Sequence, residues 1–294
     1  MIPIIDADVI VYRSGFRAQH TEWVATNLSD MYSIEFGPRV TKAQASKLMM
    51  QEGLKLGEWV LEETLVVDPV EHACHSAKIT VQMILNRFEA TSYKLYLTSN
   101  DKSNYRFKVA KTRPYKGNRT APKPVHYDAI REYLLQCWNA ELVTGIEADD
   151  AMGIEQCRHL PGESVICSID KDMNIIRGHH YNFVTDVLYT TTYFGHLELY
   201  DLGGNKAKKS LRGGGLKWFY AQMLLGDSAD NIPGVSMCGP VKVFKLLSEC
   251  KTEEELYKTV LKVYTNKQIE GRFEEVANLL WIQQKENAMW RKPC

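Results

Sequence analysis

Carboxylates follow short apolar runs at four separate places along the chain. The four groups are Asp6 with Asp8, Asp101, Glu147 with Asp149 and Asp150, and Asp170 with Asp172. The apolar runs before them are typical of buried parallel strands, and the carboxyl ends of such strands form the ligand crevice of an open sheet. We therefore expect these acids to converge at one edge of a sheet.

The expected crowding of these acids points to bound metal ions. A single Asp after a strand is more often a helix cap than a ligand, and a charge at a helix N-terminus contributes less than about 1 kcal/mol. Six to eight carboxylates in one crevice repel one another by an energy on the order of several kcal/mol. Divalent cations offset this repulsion, whereas helix capping does not. Oxygen donors without His or Cys favour hard ions, so the predicted cofactor is Mg²⁺, with Mn²⁺ as a substitute.

A further acidic pair lies in the stretch Gly226-Asp-Ser-Ala-Asp-Asn-Ile-Pro-Gly-Val. Asp227 and Asp230 are three residues apart after a helical run, so both can face the same way and complete a second metal position with Asp170 and Asp172. Two ions about 4 Å apart can activate a water and stabilise the leaving oxygen of a phosphodiester. The sequence shows no Ser elbow and no Cys–His arrangement that would supply another nucleophile.

The pattern of apolar residues predicts an α/β fold with a mainly parallel central sheet flanked by helices. A helical part is expected to follow it from about residue 215. Strands are predicted at 3–5, 94–97, 141–143 and 164–169, with 181–185 and 188–193 nearer a sheet edge. Helices are predicted at 42–63, 70–89, 125–138, 149–159, 216–225, 240–247, 253–264 and 272–286. Residues 14–92 show helical periodicity and no group that we can assign to chemistry.

The composition excludes several classes of protein. The longest apolar runs fall far short of the roughly 20 residues that cross a bilayer, and the N-terminus lacks the pattern of a secretory signal. Seven scattered cysteines with no close CxxC pair favour a reducing compartment and disfavour a thiolate zinc site. We expect a cytoplasmic protein without a membrane partner.

The net charge of zero, from 36 basic and 36 acidic residues, hides a segregation of charge. Residues 102–123 hold eight Lys or Arg and no acid, and residues 202–217 hold five basic residues and no acid. In the first stretch, Tyr105, Phe107 and Tyr115 alternate with the basic residues, a combination typical of binding to single-stranded nucleic acid. A solvated charged loop is the competing interpretation for such a run.

Three stretches in this order resemble the signatures of the structure-specific 5′ nuclease (flap endonuclease) superfamily. They are Gly-Ile-Glu-Ala-Asp-Asp, Ser-Ile-Asp-Lys-Asp and Gly-Asp-Ser-Ala-Asp-Asn-Ile-Pro-Gly-Val, and with the 113–119 stretch they are most similar to bacteriophage 5′–3′ exonucleases. The resemblance covers roughly 1–13 and 94–250. It implies a first metal cluster of Asp6, Asp101, Glu147, Asp149 and Asp150. It implies a second cluster of Asp170, Asp172, Asp227 and Asp230, with Asp8 close by.

The resemblance also implies roles for basic and aromatic residues. The segment at about 102–126 would form a clamp over the metals, in which Lys116 and Arg119 act with Asp149 in catalysis by holding the scissile phosphate. Tyr115 would pack on the terminal nucleotide. Further substrate contacts are expected from Arg13, Lys111 and Arg113.

The stretch 232–248 resembles the helix-hairpin-helix element of the same superfamily. Glycines let a backbone approach a phosphate closely, and a helix N-terminus favours an anion. Gly234, Gly239, Lys242 and Lys245 are therefore the expected contacts with duplex DNA, and a K⁺ ion is a further expectation there. Gln222 departs from the family, because several relatives carry Lys at this position.

The leading hypothesis is a Mg²⁺-dependent 5′–3′ exonuclease, with flap endonuclease or RNase H activity as a further expectation. It would act on 5′ ends, flaps or nicks of DNA or on RNA–DNA hybrid, in phage DNA replication or recombination in the bacterial host cytoplasm. The expected domains are a metal-dependent nuclease domain at 1–200 and a helical DNA-binding part at 215–294.

Two alternatives stay open from the sequence. Ile5-Asp6-Ala-Asp8-Val9 also fits the opening motif of haloacid-dehalogenase phosphatases, in which Asp6 would become phosphorylated. A DNA-binding scaffold with a dead active site is the other alternative, which the intact set of acids disfavours.

Overall fold

The computed structural model of the chain describes residues 1–38, 40–55, 57–203 and 209–293. The strands are β1 (Ile2–Asp6), β2 (Gln19–Asn27), β3 (Ser33–Pro38), β4 (Trp59–Val67), β5 (Lys94–Thr98), β6 (Glu141–Val143), β7 (Ser164–Cys167), β8 (Gly178–Asn182), β9 (Val187–Thr191), β10 (His196–Asp201), β11 (Lys209–Gly214), β12 (Gly226–Asp227) and β13 (Ile232–Pro233). The helices are α1 (Ala7–Arg17), α2 (Lys42–Gln51), α3 (Val70–Arg87), α4 (Arg106–Val109), α5 (Tyr127–Cys137), α6 (Ala148–Arg158), α7 (Gly215–Leu225), α8 (Pro240–Leu247), α9 (Glu253–Asn266) and α10 (Phe273–Leu280). Two 3₁₀ turns lie at Lys171–Ile175 and Glu270–Arg272.

Six strands form the main sheet, in the order β6-β5-β1-β7-β8-β9. All neighbouring pairs are parallel except β8 with β9, which closes one edge antiparallel. The N-terminal strand lies inside the sheet, with Ile4 opposite Lys94 on one side and Ile5 opposite Cys167 on the other. Ile4 and Ile5 have no exposed surface, as expected for a strand covered on both faces. The predicted α/β fold with a mainly parallel sheet is confirmed.

Helices dominate the chain after residue 214, as the sequence predicts. The apolar helix α7 is central to a buried cluster that includes Phe219, Tyr220, Tyr264 and Phe273. This burial also explains why α7 shows no polar face, since neighbours surround it. The last helix, α10, ends at Leu280, so the expectation of a helix at 272–286 is wrong in its second half.

The chain divides into two compact units. The first unit holds residues 1–9, 81–121 and 135–294, and the second holds 10–80 and 122–134. The sequence predicts a different, functional division, into a nuclease domain at 1–200 and a DNA-binding part at 215–294. That division stays a prediction.

The second unit contains a three-stranded antiparallel sheet in the order β3-β2-β4, which the sequence analysis missed. The expectation of one helix over 42–63 is wrong, because α2 ends at Gln51 and β4 begins at Trp59. Gly53 follows with φ +75, in the left-handed region that glycine tolerates and that ends helices. Pairing of β4 along the whole of β2 outweighs the helix propensity of its Leu and Glu residues.

The later strands lie a few residues from their predicted places, at β8 and β9. In the basic stretch 202–217, residues 204–208 lie outside the described residues, and β11 forms its middle part. Among the described helices, each is too short or too polar to cross a bilayer.

Candidate nuclease site

The carboxyl ends of β1, β5, β6 and β7 deliver the predicted acids. Asp6 ends β1, Glu147 precedes α6 as its N-cap, and Asp149 lies in the first turn of that helix. Asp170 follows β7 and caps the first 3₁₀ turn, where its carboxylate accepts a hydrogen bond from the Asp172 amide at 2.8 Å. These strands are parallel neighbours, so their ends share one edge of the sheet.

Asp6, Asp149 and Asp170 influence one another electrostatically. Burial and the charge of Asp8 raise the pKa of Asp6 to about 7, and Asp170 adds to the effect. Burial raises the pKa of Asp149 well above its usual value, and Asp6 and Asp170 raise it further. Asp6 and Asp149 therefore resist ionising together, as acids that share one crevice do.

Asp149 differs from its neighbours in its lack of hydrogen bonds. The carboxylate of Asp6 accepts from the Val9 amide at 3.0 Å and from the Ser168 hydroxyl at 2.7 Å. Within the described ranges, the Asp149 carboxylate has no hydrogen-bond donor. A half-buried carboxylate without donors beside two other acids is stabilised in its charged form by a cation.

Two other predicted acids accept hydrogen bonds from backbone amides. Asp8 accepts a hydrogen bond from the Thr98 amide at 3.0 Å, which ties the start of α1 to the end of β5. Asp101 is exposed, and its carboxylate accepts from the Ser103 amide at 2.9 Å. The hydrogen bonds from Ser103 lower the pKa of Asp101.

Lys116 and Arg119 lie against two of the predicted ligands. The Lys116 ammonium donates to Glu147, and the Arg119 guanidinium donates to Asp230 at 2.6 Å. Burial acts to raise the pKa of Glu147, but Lys116 and Arg106 outweigh it and lower this pKa below its usual value. Glu147 is therefore ionised and compensated, in contrast to Asp149.

Three hydrogen bonds to backbone carbonyls hold the turn of Lys116 to the loop of Asp230. The Lys116 amide donates to the Asp230 carbonyl at 3.0 Å, and the Asn118 side chain donates to the Ser228 carbonyl at 2.6 Å. The Asn231 side chain donates back to the Pro114 carbonyl at 2.9 Å. The basic segment and the last acidic motif thus form one hydrogen-bonded structure.

The structure contradicts the expectation that Tyr115 offers a ring face to a nucleotide. Its side chain is only 4% exposed and belongs to the core cluster around α7. Its hydroxyl donates to Glu147 at 2.9 Å and to Asp230 at 2.7 Å, and its ring meets the edge of Phe107. The carboxylates draw the hydroxyl inward, so Tyr115 orients acids and is not free to stack on a base.

A lysine that the sequence analysis did not single out lies between two acids of the predicted second cluster. The Lys171 ammonium donates to Asp172 at 2.9 Å and to Asp227 at 2.6 Å. Burial raises the pKa of Asp172 to about 7, as does Asp170, while Lys171 acts to lower it. Gln222 is buried and donates its amide hydrogen to Asp172. The only sequence signal was the place of Lys171 between the two aspartates of its motif.

Asp150 is contradicted as a metal ligand. It has no exposed surface, and the guanidinium of Arg106 binds it at 2.6 and 2.9 Å. Its oxygens also accept from the amides of Gln283 at 3.0 Å and Glu147 at 3.1 Å. Four donors use the acceptor sites of the carboxylate, so no lone pair is left for a metal.

Arg106 is the structural residue that the sequence analysis missed. Besides binding Asp150, it donates to the carbonyls of Leu279 and Trp281 and so ties the basic segment to the end of α10. The sequence around Arg106 gave no signal, because Arg106 is one of eight basic residues in the stretch 102–123. Burial of a paired Arg is visible only in three dimensions.

Paired glycines shape the loop that carries Asp227. Gly226 has φ +73, and a Cβ atom there would lie 2.2 Å from the Gly234 amide nitrogen. A Cβ atom on Gly234 would lie 2.2 Å from the Leu225 carbonyl oxygen. The close approach of these backbones lets β12 pair with β13 and places Asp227 opposite Ile232. Gly234 therefore has a packing role, whatever contact it makes with DNA.

The remaining predicted contacts are exposed. Lys111 and Arg113 lie in the basic segment, and Lys242 and Lys245 lie on α8, where Gly239 is the N-cap and Pro240 the first residue. Arg13 is an exposed residue of α1 in the second unit. Their roles as substrate contacts stay predictions.

The donor chemistry of the site fits a hard divalent cation at Asp6, Asp149 and Asp170. All three offer carboxylate oxygens, and Asp149 has no hydrogen-bond donor among the described residues. As they stand, no three His, Cys, Asp or Glu side chains in the described part of the chain converge into a metal-holding group. Five other predicted acids instead bind Lys or Arg side chains, namely Glu147, Asp150, Asp172, Asp227 and Asp230.

Comparisons with known proteins find similarity in both sequence and structure, while no family model matches the chain. The DNA polymerase I of Caldicellulosiruptor bescii is 28% identical over 191 residues, which are 62% of this chain and 22% of the polymerase. The chain thus spans less than a quarter of that relative's length. The crystal structure of the T5 D15 protein co-crystallised with metal ions is similar at a TM-score of 0.44 and 14% identity, over 95% of this chain and 94% of that one.

The sequence match covers 62% of the chain, which also holds the acidic motifs in the order given above. The structure brings these motifs to neighbouring ends of parallel strands. Together these findings confirm that the chain resembles the structure-specific 5′ nuclease superfamily.

Proposed function

We propose that the chain is a divalent-metal-dependent 5′ nuclease that hydrolyses phosphodiester bonds near 5′ ends of DNA. The observation that carries the proposal is Asp149, a half-buried carboxylate without hydrogen-bond donors in the described residues, beside Asp6 and Asp170. Such a group requires a cation, and carboxylate oxygens favour Mg²⁺ or Mn²⁺. The similarity to part of a DNA polymerase supports DNA as the substrate.

Asp6, Asp149 and Asp170 would hold the ion, with Asp101 and Asp8 nearby in the chain segments that follow β5 and β1. When bound, a divalent ion supplies charge stabilisation to the scissile phosphate and makes a water a better nucleophile. Ser168 and the Val9 amide keep the Asp6 carboxylate in one orientation through their hydrogen bonds. Preorganised ligands of this kind lose little free energy to reorganisation when the ion binds.

Lys116 and Arg119 would neutralise the charge that develops on the phosphate. Glu147 and Asp230 hold the two side chains in place, and Tyr115 fixes both carboxylates with its hydroxyl. A phosphate that enters the site offers the same two cations a second anionic partner. Lys111 and Arg113, exposed in the same segment, would bind phosphates further along the strand.

The stretch 232–248 would grip duplex DNA away from the cut. Gly239 leaves the start of α8 open, because a Cβ atom there would meet nothing within 4 Å. Lys242 and Lys245 are exposed on the same helix and would contact phosphates. A K⁺ ion at this element is part of the proposal.

The preferred substrates would be 5′ ends, flaps or nicks of duplex DNA, with RNA–DNA hybrid as a further substrate. The resemblance to bacteriophage 5′–3′ exonucleases supports a role in phage DNA replication or recombination in the cytoplasm of the bacterial host. A phosphatase that uses Asp6 as nucleophile is disfavoured, because Asp6 is 3% exposed and hydrogen-bonded at both oxygens.

The test is cleavage by the wild type and by Asp149→Asn. With 5′-labelled and 3′-labelled flap substrates and Mg²⁺, we expect Asp149→Asn to lower the rate about 10³-fold or more, since a metal contributes several kcal/mol. DNA binding, measured by fluorescence anisotropy in Ca²⁺, should change less than about threefold. Asp201→Asn, which alters an exposed aspartate on β10, is the matched control.

Two outcomes would contradict the proposal. A wild-type chain that binds DNA but never cuts it with Mg²⁺ or Mn²⁺ would favour the inactive scaffold. Turnover of p-nitrophenyl phosphate without cleavage of labelled duplex would favour the phosphatase.

A further inference from the structure

Asp172 and Asp227 already have a cation between them. The Lys171 ammonium donates at 2.9 Å to Oδ1 of Asp172 and at 2.6 Å to Oδ2 of Asp227. The lysine begins the 3₁₀ turn, two residues upstream of the buried Met173. The backbone there is also fixed, because the Trp218 indole donates to the Lys171 carbonyl at 3.1 Å.

The other acceptor sites of this pair are largely used. Asp172 Oδ1 also accepts from the Gln222 amide, and Asp227 Oδ1 accepts from the amides of Ala229 at 2.7 Å and Asp230 at 3.2 Å. These donors orient both carboxylates toward the ammonium. The arrangement is a bridging ion pair with neutral donors around it.

Asp149 and the Asp172–Asp227 pair differ in how their negative charge is compensated. Asp149, which lies beside Asp6 and Asp170, has no hydrogen-bond donor of its own among the described residues, whereas Asp172 and Asp227 share a lysine. A divalent ion that entered between Asp172 and Asp227 would meet the ammonium at close range, and like charges repel. The two sets of acids therefore differ in their need for metal.

We propose that Lys171 takes the place of a second divalent ion, so that the chain holds one ion tightly and uses the lysine ammonium as the permanent cation between Asp172 and Asp227. The inference rests on the proposed function and narrows it from two or more ions to one. In this arrangement Lys171 is a positioning residue, because it acts through the two aspartates. Its side chain is 57% exposed, so it also lies within reach of an incoming phosphate.

The test counts bound Mn²⁺ in the absence of DNA, by isothermal titration calorimetry and by electron paramagnetic resonance of free Mn²⁺. We expect one tight ion in the wild type. In Lys171→Met a second ion should bind at least tenfold more tightly than any second ion in the wild type. Lys171→Arg keeps the positive charge and should again bind one ion.

The matched control is Lys258→Met, which removes an exposed lysine from its ion pair with Glu254 on α9, in a helix without predicted ligands. It should bind Mn²⁺ like the wild type. Because Lys171 is exposed, we expect its variants to fold, which circular dichroism checks. If Lys171→Met does not fold, Lys171→Gln and Lys171→Arg carry the same comparison.

The result that overturns the inference is two ions of similar affinity in the wild type, with no change in Lys171→Met. If DNA is still cut with Mn²⁺ in that case, the nuclease proposal stands and only the role of Lys171 is wrong. If the wild type binds no Mn²⁺ and cuts no DNA, the proposed function itself fails.

Discussion

Acidic residues were the most predictable part of the site, and their partners were the least. Motif and strand position place Asp6, Asp149 and Asp170 correctly at one edge of the sheet, because a parallel sheet leaves few places for the residues that follow its strands. The burial of Arg106 and the bridging contact of Lys171 depend on segments far apart in sequence. Spacing along the chain contains no information on such contacts.

His180 shows how burial alone changes a titrating group. It is 2% exposed, its ring nitrogen bonds the Ile176 carbonyl at 2.8 Å, and its ring stacks on Tyr189. Burial lowers its pKa to about 4 from the usual 6.5, and His179 adds to this. The folded chain therefore holds His180 neutral at neutral pH.

We expect acidification to destabilise the fold through His180. Between pH 6.5 and 4 the unfolded chain binds a proton that the folded chain does not, so the free energy of unfolding falls as the pH falls through this window. The full effect is about 3 kcal/mol below the lower value. His180→Gln should remove it, as urea unfolding at pH 7 and pH 4 would measure.

The comparison must be made as a difference between variant and wild type. Asp6 and Asp172 have pKa values raised to about 7, so their folded forms bind protons first and act in the opposite direction over the same range. Wild type and variant both contain Asp6 and Asp172, so the contributions of these two residues cancel when the two pH dependences are subtracted. His179→Gln, at a half-exposed neighbour, is the control, and an equal pH dependence in His180→Gln would contradict the assignment.

At the scale of elements, prediction succeeded where burial produces one pattern and failed where a strand resembled a helix. The runs before Asp6 and Asp170 are continuous and apolar, and they form β1 and β7. Residues 59–67 contain Leu and Glu at helical spacing, yet they form β4 because β2 lies available to pair along its full length. Tertiary pairing, which a local pattern does not reveal, decides such segments.

Helix α10 anchors the basic segment through one side chain. Glu275 Oε1 accepts from the amides of Lys111 and Thr112 at 2.7 Å each, and Oε2 accepts from the Thr112 hydroxyl at 2.7 Å. Burial acts to raise the pKa of Glu275, but the donors of Thr112 and Lys111 outweigh it and lower this pKa. The carboxylate therefore stays charged and holds the segment that leads to Lys116.

We expect Glu275→Ala to loosen this anchor. Hydrogen exchange at the Lys111 and Thr112 amides should accelerate about tenfold or more, since a hydrogen bond to a charged group contributes about 1.5–3 kcal/mol. Exchange in β1 should not change. Glu274→Ala, at the exposed neighbouring position, is the control, and unchanged exchange at Thr112 in Glu275→Ala would show that the anchor has no effect.

At the scale of the whole molecule, the described C-terminal residues are part of the main core. Trp290 is 7% exposed and packs with Phe273 at 5.7 Å between ring centroids and with Tyr257 at 6.3 Å. Both belong to the cluster around α7 that also buries Tyr115. The sequence did not predict this packing, because a lone Trp does not show what it packs against.

We expect Trp290→Ala to cost about 3–5 kcal/mol of unfolding free energy, the usual range for truncation of a buried Trp. Urea unfolding measures it. Arg291→Ala, at the exposed next residue, should change stability by less than about 0.5 kcal/mol. A loss below about 1 kcal/mol in Trp290→Ala would mean that the tail can leave the core at little cost.

The place of β1 inside the sheet has a consequence for the order of events during synthesis. This strand is made first, yet its two neighbours, β5 and β7, leave the ribosome only about 90 and 160 residues later. Contacts so distant in sequence form slowly, because a long loop must close before they contribute. The apolar segment Ile2–Asp6 therefore stays unpaired until about 160 further residues have been made. A chaperone that shields short hydrophobic peptides would therefore raise the yield of this protein.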